Sequence, residues 1–158
     1  MATTVTAADL NITITESINL NGVTYGNNKT TVVSTNTKAE QRIMSIAAKG
    51  ETGTTYTTII GLGSVDSASD VRSADFKYFR ISNLDNANNL NLRLSNGTDY
   101  VYMKVEANDS MVLMASGIDH TAVSSGNVAN TIVAFTEIAA QSDSAESSID
   151  IEFLIVTA

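Results

Sequence analysis

The sequence predicts an all-β protein: an antiparallel β-sandwich of jelly-roll type, with eight to ten short strands in one domain spanning residues 1–158. Three observations carry this. Apolar and polar residues alternate with period two in segment after segment, the pattern of a strand with one face on a core. Turn signals separate these segments at short intervals, and two of them are Asn-Gly pairs, Asn21-Gly22 and Asn96-Gly97. Ser, Thr and Asn make up about a third of the chain, beside 43% hydrophobic and only 16% charged residues. That hydrophobic content in strict alternation argues for a folded sheet protein rather than a disordered polar chain.

The first predicted strand is the most regular. Leu10, Ile12, Ile14, Ile18 and Leu20 share one face, broken only by Glu16, while Asn11, Thr13, Thr15, Ser17 and Asn19 share the other. This reads as a half-buried strand with its apolar face on a core. A two-residue turn at Asn21-Gly22 then sets Leu20 opposite Val23 and Ile18 opposite Tyr25, apolar against apolar. Gly26-Asn27-Asn28 predicts a bulge or bend before the strand resumes over Thr30–Ser34. Residues 35–49 are ambiguous. Thr37-Lys38-Ala39-Glu40 fits a helix capping box, but Gln41–Ile46 fits a strand, and the β surroundings favour the strand. Thr54–Leu62 is rich in β-branched residues and reads as a strand. Gly63–Asp75 reads as a polar loop with a helical turn near Asp70.

Phe76–Ser82 predicts a strand and Asn83–Asn89 a cluster of turns. A hairpin follows. Leu90, Leu92 and Leu94 alternate with polar residues, as do Val101, Met103 and Val105. A two-residue turn at Asn96-Gly97 places Ser95 opposite Thr98, Leu92 opposite Val101, Leu90 opposite Met103 and Arg93 opposite Tyr100. Asn108-Asp109 marks another turn, and Met111–Ala115, apolar on both faces, predicts a strand in the middle of a sheet. Ser116–Asn130 reads as a long polar loop, Thr131–Ile138 as a strand and Gln141–Ser148 as a polar connection. The last strand, Ile149–Val156, alternates at first and ends in Phe153, Leu154, Ile155 and Val156, apolar on both sides. Such an end is either central in a sheet or covered by another subunit.

Composition excludes several kinds of chemistry. With no Cys there is no disulfide and no thiolate site. The net charge of −8 on a sparsely charged chain argues against nucleic acid and anionic membrane as partners. Residues 1–9 lack the basic start and apolar core of a signal peptide. Asn11, Asn28, Asn96 and Asn108 match the N-glycosylation pattern, as chance predicts for a chain this rich in Asn, Ser and Thr.

No residue set announces a catalyst, so no catalytic residues are assigned. His120, the only histidine, sits beside Asp119 in the polar loop without a nucleophile elbow, and reads as a solvated side chain. Asp85-Asn86-Ala87-Asn88-Asn89 has the flavour of a calcium loop but lacks the acidic spacing, turn glycine and closing glutamate. Self-capping Asx turns explain it without an ion, so no metal and no cofactor is assigned. Arg93, Tyr100 and Tyr102 fall on the outer face of the hairpin, where Arg93 and Tyr100 are placed for a cation–π contact and the tyrosines for an interface. With Phe153, Leu154, Ile155 and Val156 they form the predicted contact residues. The chain also has no Pro and few Lys, the usual guards of exposed strand edges, which points to edges covered by other subunits.

Three segments together resemble the small virion structural proteins of tailed bacteriophages, marine and cyanobacterial ones among them: LNITITESINLNG, the block KYFRISNLDNANNLNLRL followed by YVYMKVEANDSMVLM, and the closing IDIEFLIV. The resemblance spans most of the chain and rests on strand pattern and composition. It implies a non-enzymatic β-sandwich on the outside of a particle, most simply a capsid decoration (cement) protein. Its implied partners are the major capsid protein and further copies of itself, as homotrimers. The implied location is the virion, assembled in a host cytoplasm. A tail or fibre component, or a lectin-like glycan-binding module, is the alternative.

Overall fold

The computed structural model describes residues 6–50, 55–63, 70–114, 119–121, 129–131 and 135–158. Among these the chain is almost entirely strand, in two parts: a hairpin arm and a two-sheet body.

The arm comes first. Strands β1 (Ala8–Thr15), β2 (Ile18–Leu20), β3 (Val23–Tyr25) and β4 (Asn28–Asn36) form one hairpin. β1 pairs with β4 and β2 with β3 in a single unbroken register from Leu10↔Val33 to Leu20↔Val23. The turn is the two-residue type predicted, with Asn21 (φ 53°) and Gly22 (φ 80°) both left-handed. The bend falls at Gly26 (φ 148°), where a Cβ would lie 1.9 Å from the Glu16 carbonyl oxygen, so only glycine fits. No residue is inserted there; the Glu16 N–H still donates to the Asn27 carbonyl at 3.0 Å.

The body has nine strands. β5 (Lys38–Ile46), β8 (Phe76–Asn83), β11 (Ser110–Met114) and β15 (Ile149–Thr157) form a four-stranded antiparallel sheet in the order β11-β8-β15-β5. β6 (Thr57–Gly63), β7 (Asp70–Arg72), β9 (Leu90–Ser95), β10 (Tyr100–Val105) and β14 (Glu137–Ser142) form a five-stranded sheet in the order β10-β9-β14-β6-β7. The β6–β7 pairing is parallel, and the other pairings in this sheet are antiparallel. A 3₁₀ turn over Ser73–Asp75 follows β7. β12 (Asp119–Thr121) and β13 (Ala129–Thr131) pair only with each other, inside and just beyond the segment expected as a polar loop.

The two sheets close on one core. Phe79, Ile81, Ile151, Phe153 and Ile155 come from the four-stranded sheet; Leu90, Leu92, Leu94, Ile138 and Ala140 come from the five-stranded one. Phe79 and Phe153 stack with centroids 6.0 Å apart. Each fully buried Leu, Ile or Phe contributes about 1.5–3 kcal/mol, so this body, not the arm, holds the fold together. The strand reading of 41–46 holds, because β5 is the edge partner of β15 throughout its length.

The structure departs from the expected pattern at several points: Asp70–Arg72 is a strand with the helical turn just after it, and β14 begins only at Glu137. The hairpin turn between β9 and β10 spans four residues, 96–99, so Leu92 faces Met103, Leu94 faces Val101 and Arg93 faces Tyr102. The Asn96 carboxamide caps the longer loop: its Oδ1 accepts from the N–H groups of Thr98 (2.9 Å) and Asp99 (2.6 Å). The two-residue register also sets Leu94 opposite Asp99 on the core side, a penalty the observed register avoids. β11 is an edge strand, not a central one, and is only partly buried. Gln141 and Ser142 continue β14 and are buried rather than looped out. Finally, among the described residues the arm's apolar face has no core beneath it past Ile12: Ile14, Ile18 and Leu20 are 54%, 60% and 57% exposed.

Candidate interaction surfaces

Two surfaces stand out. The first lies on the outer face of the five-stranded sheet. Strand alternation sends Leu92 and Leu94 inward and Arg93 outward. Arg93 is flanked by Tyr102 on β10 and by Ala139 on β14, whose small side chain leaves room for the guanidinium. Arg93 Nη2 donates to Glu137 Oε1 at 2.5 Å, and Thr58 Oγ1 donates to Glu137 Oε2 at 3.3 Å. The guanidinium carbon sits 4.3 Å from the Tyr56 ring centroid and 5.2 Å from that of Tyr100. Tyr102 completes the group, 6.2 Å from Tyr56 and 6.0 Å from Tyr100. Cation–π contacts of this kind contribute about 0.5–1 kcal/mol each near a surface, so the cluster is fixed by several modest terms acting together. Burial pushes the Tyr56 hydroxyl pKa up, and neighbouring Tyr102 adds to this, against the opposing pull of Arg93.

The predicted Arg93–Tyr100 contact is therefore present, but as a diagonal across the ladder rather than a directly opposed pair. Tyr56 and Glu137 were not legible as members. Tyr56 precedes β6 and Glu137 opens β14, strands that reach Arg93 only through the sheet order. Tyr100 and Tyr102 remain 47% and 59% exposed, leaving an aromatic surface around the Arg93–Glu137 ion pair.

The second surface is the arm. One face carries Leu10, Ile12, Ile14, Glu16, Ile18 and Leu20 on the outgoing strand, opposite Val33, Thr31, Lys29, Asn27, Tyr25 and Val23. Asn36 Nδ2 closes the base of the arm on itself, donating to the carbonyls of Ala8 (3.0 Å) and Val33 (2.6 Å), and the base is tied to the body where the Thr37 N–H donates to the Thr157 carbonyl at 3.0 Å. Beside these bonds Leu10 and Ala8 line a largely apolar groove of about 190 Å³ with Ala39, Leu154 and Val156. Beyond it the arm stands free, with Val23 and Tyr25 also more than half exposed.

The four closing residues divide. Phe153, Ile155 and Val156 are buried within this chain, the first two in its core, because β15 is central in its sheet. Phe153 and Ile155 are not available for contact with a partner. Leu154 and the largely covered Val156 lie on the opposite face of β15, in the groove at the arm's base. Ile43, on the free edge strand β5, is 68% exposed, the largest value among the big apolar side chains described.

The Asx-rich turn is satisfied internally. Asp85 Oδ1 accepts from the N–H groups of Ala87 (2.8 Å) and Asn88 (2.6 Å), and these bonds hold its carboxyl below the usual carboxylate range. Asp143 accepts from the N–H (2.9 Å) and the Nδ2 (2.7 Å) of Asn89. Among the described residues no three His, Cys, Asp or Glu side chains gather as a metal-binding group. His120 lies on β12 with its backbone opposite Asn130, and its side chain falls outside the described part of the structure.

Comparison with protein-family models, with curated proteins and with solved structures finds no match to this chain.

Proposed function

We propose that this chain is a non-enzymatic structural subunit of a virion, a head decoration (cement) protein that binds the outside of a major capsid shell and associates with further copies of itself. One observation carries the reading: a hairpin arm of 29 residues, Ala8 to Asn36, whose alternation is that of a core strand but whose apolar face, beyond its partly buried base at Leu10 and Ile12, is left exposed at Ile14, Ile18, Leu20, Val23 and Tyr25. A two-stranded ribbon is marginal alone in water, so such a face is kept for a neighbour. The strand orders β5-β15-β8-β11 and β6-β14-β9-β10 fit two interlocked Greek keys, and we read the body as of the jelly-roll type. The sequence resemblance to tailed-phage virion proteins supplies the particle.

Gold-labelled antibody against this protein, applied to purified particles from the source culture, tests the reading. Label spread over the head is the expected result. Label on the tail or its tip moves the role to a fibre component, and no label on any particle removes the virion reading. The cluster of Tyr56, Tyr100 and Tyr102 supports a second reading, a glycan-binding module. Its test is glycan binding lost in Tyr102→Ala.

A further inference from the structure

The geometry points to the occupant of the arm: the same face of the arm of a second copy, stacked antiparallel about a two-fold axis. The arm's own pattern specifies this pairing, whatever larger assembly the chain joins. The face consists of six rungs: Leu10/Val33, Ile12/Thr31, Ile14/Lys29, Glu16/Asn27, Ile18/Tyr25 and Leu20/Val23. Read from either end, the outgoing strand is nearly the same: Leu, Ile, Ile, then Glu, Ile, Leu. A two-fold axis through the middle of the ribbon, between the Ile14 and Glu16 rungs, sets Leu10 on the partner's Leu20, and Ile12 on the partner's Ile18. The returning strand follows suit, with Val33 on the partner's Val23 and small Thr31 under the partner's large Tyr25. An isologous contact requires such self-complementarity, and the pattern supplies it.

Charge agrees. Glu16 and Lys29 are the only charged residues on this face, and they have opposite signs. They occupy the two central rungs, so the two-fold brings Glu16 level with Lys29 of the other copy, twice. Neither takes part in an ion pair within the chain among the described residues.

Area and shape agree too. Eleven residues at about 3.4 Å each give a face roughly 35 Å long and two strands wide. Two such faces bury on the order of 1,000 Å² in all, the lower bound of a specific interface. The groove lined by Ala8, Leu10, Ala39, Leu154 and Val156 lies where the partner's tip, Leu20 and Val23, arrives.

The chain has no cysteine, so single thiols report position cleanly. The full-length variants Ile12→Cys and Ile18→Cys are co-expressed and treated with a short bismaleimide. In the antiparallel pair residue 12 meets residue 18 of the other copy, whereas identical residues lie about 20 Å apart. The expected result is cross-linked dimer in the mixture and none in either variant alone. Cross-linking within either single variant, or none in the mixture, overturns the proposal. Ile18 is exposed, so its replacement leaves the fold intact. A charge exchange gives a second reading. Lys29→Glu weakens self-association about tenfold and Glu16→Lys with Lys29→Glu restores it; equal association of all three proteins also overturns the proposal.

Discussion

Asn83 shows how a single polar side chain organises the turns at one end of the body. It is 2% exposed, and its Nδ2 donates to the carbonyls of Asn88 (2.9 Å) and Glu106 (3.2 Å) while its Oδ1 accepts from the Asp85 N–H (3.1 Å). One carboxamide thus ties the end of β8 to the turn before β9 and to the turn after β10. Asn83→Ala leaves those backbone groups without their partner, at a cost of about 1–3 kcal/mol. Urea denaturation measures this as a lower midpoint with an unchanged slope. The Asn-rich composition announced turns here, but not which Asn was buried. Nothing in NLDNANN distinguishes Asn83 from Asn86 or Asn88 until the strands are placed.

At the scale of elements, the same dipeptide gives two different loops. Asn21-Gly22 makes the two-residue turn, and Asn96-Gly97 opens a four-residue one. The difference lies in what the flanking strands demand. The arm's apolar residues are in phase across two turn residues. Those of β9 and β10 pair fully only across four, as Leu90–Val105, Leu92–Met103 and Leu94–Val101. The faces were legible because a slip of two residues leaves alternation intact, while the register was not. A prediction follows from that account. Deleting Thr98 and Asp99 leaves Asn96-Gly97 as a two-residue turn between Ser95 and Tyr100, with the ladder unchanged. Stability in denaturant stays within about 1 kcal/mol of the parent, since loop length alone enters only weakly. A larger loss shows that the Asn96 side-chain bonds, not the strand pairs, set the register. β11 teaches the converse: an apolar stretch, Met111–Met114, signalled burial, but sheet order placed it at an edge.

For the whole molecule, local pattern predicted the class of fold and most strands, because period two and turn chemistry are short-range signals. The Arg93 cluster was only half legible, since Tyr56 and Glu137 join it through β6 and β14, strands distant in the chain. The arm is the most informative mismatch. Its sequence reads as a core strand, and beyond its base the described residues supply no core for it. The discrepancy vanishes if the missing layer is another subunit.

Sedimentation velocity on the untagged full-length chain over a wide concentration range tests this most directly, run beside Ile18→Glu with Leu20→Glu. The account predicts a dimer for the parent and a monomer with unchanged circular dichroism for the variant. A three-fold mass keeps a role in assembly but contradicts pairwise arms. A parent that sediments as a monomer at every concentration contradicts the claim that the arm's apolar face belongs to another copy.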